Sequence, residues 1–291
     1  AMQERFGEDI DNHRLRREII ATMLANGMIN RGGPSFVALI AGETAAKSAD
    51  IAAAYAVARD SFDFLKMAGE IDALDTRIPG SVQNGLYADL QRLLRGATIW
   101  FLRREKLGDG LEDLIGRYRK GLDAVEAALA DSVPEADLAG MRAHSSDLVK
   151  AGVPEQTAAR ISRQRFLARA PDVVKIAAQS GASILAVAAA LYGSAFELGI
   201  ERLIEEGLRL KARDVLERQA INRLMAQLFF THRAVVTRIV AGEGGHAGWR
   251  SRNDERLANV IATIETILAS KPFDIARLAV AQGTLADLAV I

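Results

Sequence analysis

Apolar residues return every three or four positions along nearly the whole chain, the spacing that builds one face of an α-helix. Leu15, Ile19 and Met23, with Ile20 and Leu24 beside them, predict a helix over 13–31. Asp11 or Asn12 is placed to cap it, because a short side-chain oxygen satisfies a free backbone N–H, and Gly32-Gly33-Pro34 stops it. Ile51, Tyr55, Ala58 and Phe62 share a stripe over 50–64. Pro79 opens a long helix carrying Val82, Leu86, Leu90, Leu93, Leu94, Ala97 and Phe101. Gly108 and Gly110 break the pattern, and Leu114, Tyr118, Leu122, Val125 and Leu129 resume it over 111–130. Pro134, Pro154 and Pro171 start helices over 134–150, 154–169 and 171–179. A helix over 183–207 is expected to bend near Gly193 or Gly199, and an amphipathic one covers 211–240. Residues 242–248 read as a glycine loop, and helices over 254–269 and 273–289 follow. Alternating β-branched runs bounded by turn residues do not occur. The expected class is all-α, a multi-helix array or bundle with about 70% of its residues in helix.

A gap-free internal alignment divides this array. Residues 44–74 fall on 180–210 at an offset of 136, with Ile51 on Val187, Phe64 on Ile200 and Leu74 on Leu210. Most identities are alanines, so two readings stand: a duplication, or two similar buried helices. The corresponding sub-lobes would span 13–131 and 154–291.

Composition narrows the classes. Hydrophobic residues make up 49% of the 291 positions, enough for a core, and aromatics only 5%, so Ala and Leu dominate and favour helix. Lys+Arg and Asp+Glu are 37 each, and a chain without net charge lacks the basic excess of a nucleic-acid binder. With no Cys, disulfides, thiolate metal sites and Cys nucleophiles are excluded from this chain. The longest apolar run, 183–195, is too short to cross a membrane. The first eleven residues are acidic and unlike a secretory leader, and Ala1 ahead of Met2 reads as a residue added to an excised segment.

Candidate chemistry is sparse. His13, His144, His232 and His246 are never three or four residues apart, so no helix offers a histidine pair, and all four read as surface or partly packed. Gly242-Glu243-Gly244-Gly245-His246-Ala247 matches G-x-G-x-x-A in letters, but it follows a long helix where the dinucleotide fingerprint needs a strand. Ser145-Ser146 lacks the glycines of a nucleophile elbow. Glu197, Glu205 and Glu206 read as a solvated face, as do the basic clusters around Arg103, Arg163 to Arg169, and Arg250. One cluster stands apart. Arg16 and Arg17 precede Asn26 and Asn30, which share the apolar stripe of Leu15, Ile19 and Met23. Amides on a packing stripe need a specific hydrogen-bonding neighbour, so these four residues are the candidate interdomain contact.

The run from His13 to Gly33, HRLRREIIATMLANGMINRGG, resembles a stretch of the large NAD-specific glutamate dehydrogenases of bacteria. The similarity continues through Glu70-Ile71-Asp72-Ala73-Leu74-Asp75, Leu90 to Thr98, Trp100 to Arg104 and Gly152-Val153-Pro154. Gly33 and the alanines at 188–190 depart from the family pattern. The resemblance implies that residues 1–291 are the non-catalytic C-terminal helical domain of a much longer enzyme, supporting its assembly or its regulation. That enzyme would convert L-glutamate, NAD and water to 2-oxoglutarate, ammonia and NADH in amino-acid catabolism in the cytoplasm. The family's catalytic lysines and aspartate and its dinucleotide glycines have no counterparts here, so no catalytic, cofactor-binding or metal residue is assigned. NAD would bind only in the full-length enzyme. The implied partners are the catalytic domain of the same polypeptide and further copies in a homo-oligomer, with neither nucleic acid nor membrane. A stand-alone helical scaffold or protein-binding module is the alternative.

Overall fold

The structure, a computed structural model, describes residues 12–289. Those residues form fifteen helices and no strand. One compact unit ends at Arg119. It contains α1 (Arg16–Gly32), α2 (Phe36–Thr44), α3 (Ser48–Ser61), α4 (Phe64–Asp72) and α5 (Gly80–Arg104). The boundary falls within α6 (Leu111–Ser132). The unit from Lys120 onward holds α7 (Glu135–Lys150), α8 (Glu155–Leu167), α9 (Ala170–Ser180), α10 (Ile184–Glu197) and α11 (Ile200–Arg209). It continues with α12 (Val215–Ala241), α13 (Gly245–Arg252), α14 (Asp254–Ala269) and α15 (Ile275–Ala289).

In the first unit α3 packs along α5. Ile51, Ala54, Tyr55 and Ala58 from one and Leu86, Leu90, Leu94 and Phe101 from the other are buried. Each large side chain taken from water contributes about 1.5–3 kcal/mol, which is why the three- and four-residue spacing is retained. Phe101 meets Tyr118 edge-on with ring centres 4.8 Å apart, and the Tyr118 hydroxyl donates to Glu105 at 2.6 Å. In the second unit α12 packs along α15 and α10, burying Leu228, Val235, Val236 and Ile239 with Leu278, Ala281, Val187 and Leu191.

The offset of 136 recurs in the backbone. Helix α3, 48–61, corresponds residue for residue to α10, 184–197, and α4 starts at 64 where α11 starts at 200. The breaks agree as well. Ala45 (φ 57°) matches Gly181 (φ 74°), and Asp63 (φ 55°) matches Gly199 (φ 61°), all left-handed. Thr44 Oγ1 donates to the Ile40 carbonyl at 2.7 Å, and Ser180 Oγ donates to the Ile176 carbonyl at 2.8 Å. Alanine identities alone do not impose matched left-handed residues and matched hydroxyl caps, so the two units share one repeated helical frame.

Several local expectations change. Helix α1 starts at Arg16 with Leu15 as its cap residue, and no side chain caps it; Asn12 lies outside the cap position and Asp11 lies outside the described residues. The bend over 183–207 falls at Gly199, where α10 and α11 meet at 62°, and Gly193 stays inside α10. No single described helix is long and apolar enough to cross a membrane. Helices α2 and α4 escape the periodicity argument because nine residues span too few turns to show a period. The glycine stretch is not wholly a loop. Gly244 and Gly245 take left-handed φ values of 73° and 55°, and α13 begins at Gly245. Its tight entry needs glycine at 248, where a Cβ would lie 2.3 Å from the Glu243 carbonyl oxygen. Backbone cannot swing aside as a side-chain tip does. Gly248→Ala is therefore expected to cost about 1–3 kcal/mol in strain, more than the gain in helix propensity, and to lower the thermal midpoint.

Candidate interdomain surface

Arg16, Arg17, Asn26 and Asn30 all lie on α1, and all four are exposed. The C-terminal half of α1 is anchored. Met28 is its one buried residue, Gly27 sits against the Tyr55 hydroxyl, and Arg31 pairs with Asp72 at 3.2 Å. Tyr87 donates to the same Asp72 at 2.5 Å. Burial and the carboxylate acceptor push the Tyr87 phenol up to about 12, and the Tyr87 and Arg31 hydrogen bonds hold Asp72 below the usual carboxylate range.

The N-terminal half is different. Every residue from 13 to 23 is exposed, including Leu15 (45%), Ile19 (47%) and Met23 (68%). At 100° per residue these three fall with Ile29, Asn26 and Asn30 in a wedge about 120° wide, opposite Met28. Arg16 flanks the wedge and Arg17 falls on the other side. The predicted stripe is therefore present, but among the described residues it stays exposed, and Asn26 and Asn30 are exposed as well rather than buried on a packing face. Two turns of helix gain little stability by themselves, and apolar stripes form to be covered.

The second unit encloses a polar network that the sequence reading missed. Arg169, placed among the solvated basic residues, is 6% exposed, and His232, taken as surface or partly packed, is 1% exposed. Arg169 Nη2 donates to His232 Nδ1 at 2.8 Å. A guanidinium has only donors, so Nδ1 must be the bare nitrogen, and the proton sits on Nε2. Nε2 lies 2.9 Å from Ser194 Oγ, which donates onward to the Ala190 carbonyl at 2.6 Å. Burial, then the Arg169 charge, holds His232 well below the usual imidazole value. Asp172, 3% exposed, lies 3.6 Å from Arg169 and 3.4 Å from Arg233, and Glu201 lies 3.5 Å from Arg169. Phe229 lies under the guanidinium at 5.0 Å. Arg169 and Asp172 stand three apart, but no spacing rule joins them to Ser194 and His232. Only the packing of α9, α10 and α12 brings them together.

Glu197 is likewise drawn in from its expected solvated face. It pairs with Arg250 at 2.5 Å and lies 3.2 Å from His246 Nε2, and the imidazole stacks on Trp249 beside Gly193. These contacts pin α13 to α10. Among the described residues no three His, Asp or Glu side chains gather as a metal site.

Over the described residues, the fold and these sites define an all-helical module with a buried polar network and an exposed apolar face on α1. A family model described as glutamate dehydrogenase, C-terminal, matches residues 1–287, and the chain belongs to that family. It is 31% identical over 257 residues to the NAD-specific glutamate dehydrogenase of Halomonas elongata. It is 26% identical over 296 residues to that of Pseudomonas aeruginosa and 26% over 290 residues to that of Mycobacterium tuberculosis. These alignments cover 88%, 99% and 97% of this chain but only 16%, 18% and 18% of the relatives. The chain thus spans less than a fifth of the length of the curated relatives it matches, and corresponds to their C-terminal portion.

Proposed function

We propose that this chain is the non-catalytic C-terminal helical segment of an NAD-dependent glutamate dehydrogenase and that it supports assembly of the enzyme. The full-length polypeptide would oxidise L-glutamate with NAD and water to 2-oxoglutarate, ammonia and NADH, in amino-acid catabolism in the cytoplasm. The observation that carries the structural part of the reading is the uncovered α1 face, on a chain whose relatives extend far beyond the aligned region. In this reading the catalytic domain of the same polypeptide covers Leu15, Ile19 and Met23 and hydrogen-bonds Asn26 and Asn30, with Arg16 at the edge. Copies of the polypeptide then associate as a homo-oligomer.

The test uses the full-length enzyme and the 291-residue chain side by side. The chain alone is expected to produce no NADH from glutamate. Ile19→Asp with Met23→Asp should leave the chain's own urea midpoint unchanged, since exposed substitutions shift stability by less than about 0.5 kcal/mol. In the full-length enzyme the same pair should loosen the docked segment to proteolysis and alter the oligomer mass. Asn26→Leu with Asn30→Leu should weaken docking in the same direction, because amide partners across the contact lose their hydrogen bonds at about 1–3 kcal/mol. Unchanged assembly and protease resistance in both full-length variants would remove the docking role.

A further inference from the structure

The repeated frame reaches beyond α3 and α10. At the offset of 136, α1 (16–32) falls over α8 (155–167), and α5 (80–104) falls on α12 (215–241) with each end within one residue. Helices α1 and α8 turn the same side into their own units. Met28 and its counterpart Gln164 are both buried, and Leu24, Gly27 and Arg31 match Arg160, Arg163 and Leu167, all half-buried. The opposite side differs. Ala158, Ile161 and Ser162 are buried on α8, whereas their counterparts Thr22, Ala25 and Asn26 are exposed on α1.

A neighbouring helix accounts for the difference. Helix α8 packs along α7 (135–150), to which residues 151–154 join it. Ser162 Oγ lies 3.3 Å from His144 Nδ1, and Arg165 Nη2 donates to the Asp137 carbonyl at 2.9 Å. The partners of 162 and 165 run in reverse order, 144 and then 137, so the pair is antiparallel, as a short connection favours. Among the described residues α1 packs on α2, α3 and α5, and the side that α8 gives to α7 stays exposed, with Asn26 in place of Ser162 and Ile29 in place of Arg165.

We propose that a single helix preceding α1 in the parent polypeptide lies antiparallel along α1, in the place that α7 takes on α8. The proposal rests on the reading of this chain as a segment of a longer enzyme and specifies what covers the α1 face. The dimensions agree. The stripe from Leu15 to Asn30 is about 22 Å long at 1.5 Å per residue, and the 16 residues of α7 span about 24 Å. The chemistry agrees as well. Leu15, Ile19 and Met23 offer apolar contact, and Asn26, standing where Ser162 meets His144, calls for a polar side chain opposite. The occupant belongs to the same polypeptide because α7 reaches α8 through a short connection in one chain, and the relatives extend far beyond the aligned region.

The experiment places the photo-crosslinking residue p-benzoylphenylalanine in the full-length enzyme in place of Ile19 or Ile29, both exposed, and reads the labelled peptides by mass spectrometry. The same probe in place of Arg165 should label α7 around 137–144, which calibrates the footprint of an antiparallel neighbour. Each α1 probe should label one segment of the same polypeptide. The two labels should lie about ten residues apart, with the Ile29 label nearer the N-terminus, since ten residues advance both helices equally. Labels on a second copy, seen as a crosslinked dimer, labels scattered over several segments, or labels in the opposite order overturn the antiparallel helix while leaving α1 a docked face. Absence of label from both α1 probes while the Arg165 probe still labels α7 overturns the helix and the docking role together.

Discussion

Arg169→Met is expected to destabilise the chain by about 3 kcal/mol, read as a lower urea midpoint at unchanged slope. The methionine stem replaces most of the buried volume over Phe229, so packing loss is the smaller part. The larger part is electrostatic. Asp172 is 3% exposed and would lose the Arg169 counter-charge, with Arg233 at 3.4 Å still beside it. His232 Nδ1 would lose its donor at a residue that is 1% exposed, leaving a buried acceptor unpaired. Removing one partner of a buried pair typically costs 3–5 kcal/mol, and the surviving Arg233 contact places this case at the lower end. A double variant, Arg169→Met with Asp172→Leu, removes both charges and should recover part of the loss. If the single variant unfolds at the wild-type midpoint, the network does not carry this load.

Acid should destabilise the chain through His232. In the folded state this imidazole is neutral and its pKa is held well below the ordinary value, while in the unfolded chain it returns to about 6.5. Between those two values the unfolded chain binds one more proton than the folded one. Stability therefore rises with pH across that window: it is fully present above about 6.5 and is lost as pH falls toward the folded-state value. One proton corresponds to about 1.4 kcal/mol per pH unit. His232→Gln should remove this contribution, because an amide supplies an acceptor for Arg169 and a donor for Ser194 but does not titrate. Urea midpoints of the two proteins should be close at pH 7.5 and diverge at pH 5.5, with wild type falling more steeply. Parallel pH profiles would show that His232 ionises as freely in the folded chain as outside it.

The helical class was readable because long helices such as α5 and α12 show their period over six or more turns, and nothing competes with that signal. Nine-residue α2 and α4 were not readable, because so few turns leave a periodic stripe and a plain apolar run alike. The α1 stripe was legible to the residue, yet whether it is covered is a property of its surroundings, and here it stands exposed.

The spacing of apolar residues and the placement of proline and glycine were thus enough to determine that this chain is a series of helices with stops near Gly32, Pro79, Gly108, Pro134 and Gly199. Tertiary structure alone decided which polar residues lie inside. Arg169 and His232 are 63 positions apart. Local pattern records which side chains share one helix face. Burial and proton position depend on what the next helix brings against that face, and that information is spread over distances no local spacing encodes.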